Sequence, residues 1–210
     1  MRNVLIIDDH EVVRDGVKNI LGEQASPISF GEASTAPEAL RLITQQNWDL
    51  VILDLSLAGR NGLELLKQLK QIDSELPVLI LSMHSEEQYA RRAFKAGAAG
   101  YVTKDSSRTE LMEAVNKVSD GGRYVSATLA ERLVIDIQRN TSQPLHEGLS
   151  DREFEVMCLI ASGKTVSEIG EFLALSDKTI STYRARILEK MGMRTNAELM
   201  RYAISNKLVD

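Results

Sequence analysis

Three aspartates, a serine and a lysine each close an apolar run. Val4-Leu5-Ile6-Ile7 stops at Asp8-Asp9, Leu50-Val51-Ile52-Leu53 at Asp54, Pro77 to Leu81 at Ser82, and Ala98 to Val102 at Thr103-Lys104. If the runs are neighbouring strands, their ends set three carboxylates, a hydroxyl and an ammonium facing one another. Such a set suits a hard divalent cation and a phosphoryl group together. Mg²⁺ takes octahedral oxygen ligands, keeps several waters, and is held by one or two carboxylates plus phosphate. Asp8, Asp9 and Asp54 provide the carboxylates, with room for a backbone carbonyl such as that of Ser56. Asp54 is the candidate nucleophile, because aspartate can carry a phosphoryl group as an acyl phosphate. Lys104 would pair with one phosphoryl oxygen and Ser82 would donate a hydrogen bond to another, while the cation offsets their charge. Any one aspartate alone is commonly only a cap. Their recurrence at the ends of separate runs points to chemistry. Tyr101 on its own is ambiguous, an exposed edge aromatic or a member of the site, while His10 and His84 read as surface or packing residues.

The elements that must position these residues follow from the same pattern. Unbroken apolar runs suit strands covered on both faces, as in a parallel sheet. Strands are expected near residues 3–8, 28–33, 49–54, 78–82 and 99–102, with helices between them. Thr35-Ala36-Pro37-Glu38 opens one such helix with a capping hydroxyl, a proline in the first turn and a carboxylate near the positive dipole end. Gly59 and Gly62 fall in the loop after the third strand, and Trp48 is expected to pack or to cover that strand's start. Alternating strands and helices predict a flavodoxin-like α/β fold with a five-stranded parallel sheet. Ligands in such sheets bind beyond the carboxyl ends of the strands, where strand order reverses.

A further helix is expected over 126–139, through Leu129, Leu133, Val134 and Ile137, before a stretch without periodic apolar residues from Asn140 to Gly148. The organisation read from this is a first domain over 1–122, a linker over 123–147 and a second domain over 148–210. After the linker the strand signal vanishes. Ser150 to Glu153 is a capping box, Thr165 to Glu168 opens a short helix, Ser176-Asp177 caps a longer one over 177–191, and Thr195 to Glu198 caps a last one. Four short helices with a tight turn at Ala174-Leu175-Ser176 suggest a helix-turn-helix unit.

Composition sets the bounds. The chain has 210 residues and a net charge of −5, with 25 Lys/Arg and 30 Asp/Glu. Residues 148–210 hold nine of each sign, so the remaining 16 and 21 leave the whole −5 on residues 1–147. No general basic patch therefore announces a nucleic acid. Cys158 is the one cysteine, which excludes an internal disulfide and fits a reducing cytoplasm. No apolar run approaches the roughly 20 residues that cross a bilayer, and Met1-Arg2-Asn3 leads straight into a strand rather than a signal peptide.

On the 177–191 helix the apolar stripe falls at Ile180, Ile187, Leu188 and Met191, leaving Lys178, Ser181, Thr182 and Ala185 on the opposite face. A recognition helix enters the major groove with its N-terminal residues on base edges. Lys178 would read guanine, Ser181 or Thr182 several bases, and Ala185 or the Thr182 methyl a thymine methyl. Thr179, Arg186 and Lys190 are placed for phosphates.

Residues 2–122 resemble the receiver domain of two-component response regulators, through Asp8-Asp9, Asp54, Ser82, Tyr101, Lys104 and the glycines at 59 and 62. Ala58 stands where that family's loop usually has proline. Residues 149–206 resemble the LuxR-type helix-turn-helix, through Leu149-Ser150-Asp151-Arg152-Glu153, Ile169, Leu173, Leu175 to Ile180, and Lys190-Met191. Tyr183 replaces a usual histidine there. Together they look like a NarL/FixJ-type response regulator. The resemblance implies Mg²⁺-dependent transfer of a phosphoryl group from a sensor histidine kinase to Asp54, with Ser82 and Tyr101 as switch residues. It also implies binding to double-stranded promoter DNA as a homodimer paired through Glu198, Leu199 and Tyr202, and no membrane partner. A turnover enzyme is not expected. The alternatives are a phosphorylation-independent DNA binder and, from the enzyme class, an aspartate-nucleophile phosphohydrolase.

Overall fold

The computed structural model describes residues 2–23, 27–57, 60–84, 86–131 and 144–209. Two compact units make up the chain, Met1–Ala130 and Glu131–Asp210.

In the first unit, strands β1 (Arg2–Ile7), β2 (Ile28–Ala33), β3 (Leu50–Leu53), β4 (Val78–Ser82) and β5 (Gly100–Thr103) form one sheet in the order β2-β1-β3-β4-β5. Every pairing in it is parallel. Helices α1 (Glu11–Gly22), α2 (Ala36–Gln45), α3 (Gly62–Ile72), α4 (Glu86–Lys95) and α5 (Arg108–Ser119) cover it. The chain runs outward from β1 to β2 and then crosses back to β3. Strand order therefore reverses between β1 and β3, the place where a ligand site belongs.

Burial explains why these runs are strands. Leu50 to Leu53 are each at most 1% exposed, so β3 is covered on both sides. Val4, Ile6, Leu50, Ile52, Leu79, Leu81 and Val102 pack with Val17 and Leu21 of α1 and Leu111, Val115 and Val118 of α5. Alternation sends Leu5, Ile7, Val51, Leu53, Ile80 and Tyr101 to the other face, where they are equally buried. The helices start where local chemistry starts them. Thr35 Oγ1 accepts the Glu38 N–H, Asn61 Oδ1 the Leu63 N–H, and Ser107 Oγ the Glu110 N–H.

Small departures from expectation have local causes. β3 spans Leu50–Leu53, one residue shorter at each end than expected, although the Asp49 and Asp54 N–H groups still donate to Asn3 O and Ile7 O of the β1 side, each at 2.9 Å. A two-residue antiparallel ladder, Ser56–Leu57 with Arg60–Asn61, follows and was not expected from the pattern. Trp48 covers β2 rather than the start of β3. Its ring lies on Gly31, and its Nε1–H donates to Leu42 O at 3.0 Å. Of the helix expected over 126–139, residues 127–131 are helical and the remainder lies outside the described residues, as do Ala58 and Gly59.

The second unit is helical throughout its described residues. A 3₁₀ turn at Leu145–Gly148 precedes α6 (Asp151–Ala161), α7 (Val166–Leu173), α8 (Asp177–Met191) and α9 (Asn196–Ser205). The capping boxes at Ser150, Thr165 and Thr195 are all formed. Ala174 ends α7 in the left-handed region at φ 52°, and Ser176 then caps α8, making the tight turn between them.

The Gly31–Trp48 contact makes the fold testable at one atom. Gly31→Ala places a methyl inside the indole, so it should cost about 1–3 kcal/mol, as overpacking does. A lowered urea midpoint with a shifted emission maximum from the single tryptophan would report it. An unchanged midpoint would show that the ring does not lie there.

Candidate functional site: an acidic strand edge and a helix-turn-helix face

Register brings the acidic residues together. Ile7 pairs with Leu53, and the Asp54 N–H donates to Ile7 O at 2.9 Å, so the residues leaving β1 and β3 emerge side by side. Asp8 is 3% exposed and Asp54 1%, while Asp9 is partly exposed. Lys104, brought up by β5, places Nζ 2.6 Å from Asp54 Oδ2 and 2.7 Å from Asp8 Oδ2. Burial pulls the ammonium's pKa down, but hydrogen bonds to Asp54 and Asp8 outweigh it and leave the group above its ordinary value. One ammonium thus holds two buried carboxylates from two strands.

The supporting contacts are specific. The Ser56 N–H donates to Asp54 Oδ1 at 3.0 Å. Gly62 closes the loop behind Asp54, its N–H donating to Leu55 O at 3.0 Å. A Cβ at that glycine would meet Asp54 O at 2.6 Å, so only glycine fits. Arg14 reaches across from α1 to donate to Asp8 O at 2.8 Å and to Glu32 at 2.9 Å. Neither the sequence pattern nor the spacing pointed to Arg14.

The two histidines are not idle surface residues. His10 Nδ1 lies 2.8 Å from Asp9 Oδ1 and 3.3 Å from Asp8 Oδ1. One potential ligand atom from each of Asp8, Asp9, His10 and Asp54 lies within 4.8 Å of every other. His84 puts Nε2 3.0 Å from Ser56 Oγ and stacks on Tyr89 at 4.2 Å between ring centroids. Burial holds the His84 pKa below its ordinary value. Its position two residues after Ser82 was the available signal.

Ser82 is fully buried, and its Oγ accepts the His84 N–H at 3.3 Å. Tyr101 lies on the edge strand β5 but is not exposed. It is 0% exposed, and its hydroxyl donates to His84 O at 2.8 Å. Burial drives the phenol's pKa far up, against a smaller opposing pull from Ser82. The ring is inside because β5 alternation aims position 101 at α4, on the sheet face opposite Val102.

In the second unit, α8 buries Ile180, Ile187 and Met191. Lys178, Ser181, Thr182, Ala185 and Arg186 are exposed, as read from the helical period. Lys178, Thr179, Thr182, Tyr183 and Arg186 line one groove of about 310 Å³, which adds Tyr183 to the expected set. Two expected members have partners of their own. The Thr179 hydroxyl lies 2.8 Å from the Ser176 hydroxyl at the cap, and Lys190 Nζ is 2.6 Å from Glu153 Oε2. Burial would raise the Glu153 carboxyl, but Lys190 and the Ser150 N–H hold it below the usual range.

The last helix corrects one expectation. Leu199 is 0% exposed and belongs to the unit's own core, so it offers nothing to a second chain. Glu198 is spent on its capping box. Tyr202 is half-buried, with its hydroxyl 2.9 Å from His146 Nδ1. The outward stripe of α9 is instead Ala197, Arg201 and Ile204, the last 57% exposed.

Comparison with known proteins matches this division. Residues 4–116 match the family described as response regulator receiver domain, and residues 147–203 that described as bacterial regulatory proteins, luxR family. The response regulator UvrY of Escherichia coli K12 is 33% identical over 209 residues, covering 99% of this chain and 96% of that protein. The response regulator GacA of Pseudomonas aeruginosa is 32% identical over 211 residues, covering 100% and 99%. Among solved structures, RcsB of Salmonella enterica serovar Typhimurium, bound to promoter rprA in the presence of the phosphomimetic BeF3-, is similar at a TM-score of 0.63. It is 25% identical, covering 96% of this chain and 97% of that one. With the strand-end carboxylates of one unit and the capped helices of the other, these matches establish that the chain belongs to the two-component response regulators that join a receiver domain to a LuxR-type DNA-binding domain.

Proposed function

We propose that the protein is a transcription regulator switched by phosphorylation of Asp54. One observation carries the reading: Lys104 bridges Asp54 and Asp8 at the reversal point of the sheet, with the Ser56 and His10 backbone amides donating to the same two carboxylates. One Asp54 oxygen attacks the phosphorus of a sensor kinase's phosphohistidine. The bond from phosphorus to the imidazole nitrogen breaks, and an acyl phosphate forms on Asp54. Lys104 then transfers its hydrogen bond from the carboxylate to a phosphoryl oxygen, and Ser82 donates to another. The step adds one group per chain and turns over no substrate of its own.

The donor set fits Mg²⁺. The carboxylates of Asp8, Asp9 and Asp54 are hard oxygen ligands that converge, and the Ser56 carbonyl would complete the set. When bound, Mg²⁺ supplies charge neutralisation for the transferring phosphoryl oxygens. Asp8 and Asp9 orient the ion, and the Arg14 hydrogen bond to Asp8 O holds their turn in place.

In the second unit, Lys178, Ser181, Thr182 and Ala185 meet base edges in the major groove of promoter DNA. Thr179, Arg186 and Lys190 meet phosphates, Lys190 after leaving Glu153. Two copies pair through the outward stripe of α9, so that two recognition helices fall about 34–36 Å apart or a multiple of it. No helix among the described residues is long and apolar enough to cross a membrane. The working compartment in this reading is the cytoplasm.

Three results are expected. Acetyl phosphate with magnesium should add one phosphoryl group to the wild type by intact mass and none to Asp54→Asn; full labelling of that variant would sink the assignment. Lys104→Ala leaves the acidic groups without their counter-charge and should lower stability at neutral pH by about 2–3 kcal/mol, part-screened by solvent. Because its pKa is raised in the fold, the ammonium's contribution is complete below 10.5 and fades as pH climbs beyond it. Equal urea midpoints for wild type and variant at pH 7 would refute the bridge. Finally, Lys178→Ala should cost about 1–3 kcal/mol at a cognate site and relax sequence preference there. Arg186→Ala should weaken all sequences alike and reduce the salt slope by about one; fluorescence anisotropy over a salt series separates the two.

A further inference from the structure

His10 stands where a helix cap belongs and does not cap. It is the N-cap residue of α1, with extended backbone at φ −94° and ψ 109°, and its side chain takes no amide of the first turn. Serine, threonine, asparagine or aspartate usually fills that place, because a short side-chain oxygen can accept an orphan N–H. The His10 ring is turned the other way, back over the two carboxylates that precede it.

Its backbone is fixed from both sides. The His10 N–H donates to Asp8 Oδ1 at 2.9 Å, and the His10 carbonyl accepts the Val13 and Arg14 N–H groups at 3.1 and 3.2 Å. The Arg14 side chain in turn holds Asp8 O at 2.8 Å. The ring is therefore carried on a turn that cannot drift away from the acidic pair.

The distances around the ring suit a coordination shell. Octahedral bonds of about 2.1 Å put neighbouring ligand atoms about 3.0 Å apart and opposite ones about 4.2 Å apart. His10 Nδ1 is 2.8 Å from Asp9 Oδ1 and 3.3 Å from Asp8 Oδ1. One atom each from Asp8, Asp9, His10 and Asp54 lies within 4.8 Å of every other. An exposed pair between a histidine and one carboxylate is worth little by itself. Here the nitrogen converges with oxygens that follow two different strands, β1 and β3. Nor does it compete with Lys104, which takes Oδ2 of Asp8 and Asp54 while the ring approaches Asp8 through Oδ1.

Nitrogen in the shell changes which cation is preferred. Mg²⁺ is hard and favours oxygen, whereas imidazole suits the later first-row transition metals. We propose that His10 is a nitrogen ligand of the cation held by Asp8, Asp9 and Asp54, and that it tilts the site from Mg²⁺ toward a first-row divalent ion such as Co²⁺. The proposal rests on the reading of those carboxylates as a cation site. The ring coordinates through Nδ1 and keeps its hydrogen on Nε2, in place of one of the waters that Mg²⁺ retains.

The full chain is titrated with Mg²⁺ and with Co²⁺ by calorimetry, and its Mn²⁺ form is studied by electron spin-echo spectroscopy, which detects directly bound ¹⁴N. The wild type should show that nitrogen, and His10→Ala should lose it. The ring is 66% exposed and makes no cap, so the variant keeps its fold. Removing even an outer-shell partner costs metal affinity about 10–100-fold, so His10→Ala should weaken Co²⁺ by about tenfold or more and Mg²⁺ by less than about threefold. A wild type without ¹⁴N coupling, or coupling that persists in the variant, overturns the ligand and leaves the carboxylate site standing. Equal losses for both ions do the same, since they would make His10 a group that only positions Asp9. A wild type that binds neither Mg²⁺ nor Co²⁺ overturns the cation site itself, and the ligand with it.

Discussion

Everything at the acidic edge depends on one constraint: three carboxylates must share a few ångströms without driving the strands apart. Like charges this close cannot all ionise unless something compensates them. Parallel pairing of β1 with β3 forces the approach, since the register that aligns Ile7 with Leu53 delivers Asp8 beside Asp54. Lys104 relieves it from a third strand, and His10 sits against Asp9 on the open side. The sheet core supplies the force that holds the arrangement. Ile7, Leu53 and Ile80, directly behind the site, are all fully buried, so the strand ends cannot splay without exposing apolar surface.

The two units are built on different economies. The first invests in long-range pairing: five strands whose partners lie tens of residues away in the chain. The second relies on local signals, with a capping box at three of its four helices and a left-handed Ala174 between α7 and α8. Among its longer-range polar ties, the ion pair of Lys190 with Glu153 pins the end of α8 to the first turn of α6. That ion pair also occupies a cation on the helix proposed to meet DNA. Residues 148–210, with no net charge, can hold their shape this way while keeping Lys178 and Arg186 exposed.

Much of this was readable in the sequence, and the reasons differ by residue. Strand ends were readable because an apolar run closing on a carboxylate is a one-dimensional signal, and Asp8, Asp54 and Lys104 do meet. Helix starts were readable because a cap acts over three residues. What escaped required knowledge of a third dimension. Tyr101 could not be placed inside without knowing which sheet face α4 covers. His84 and Arg14 owe their positions to neighbours on other elements, and His10 turns back onto Asp8 and Asp9 beside it; only His84, two residues after Ser82, carried a spacing signal. Leu199 was assigned to the wrong side of α9 because a family pairing helix says little about which of its stripes the unit's own core consumes. The expected helix beyond residue 131 lies outside the described residues.

Lys104 has a wider meaning as a tethered surrogate for a metal. With its ammonium seated between Asp54 and Asp8, it offsets one of the three negative charges that Asp8, Asp9 and Asp54 would carry together. The remainder is what would draw a cation in, so the ammonium tempers the pocket's pull without cancelling it.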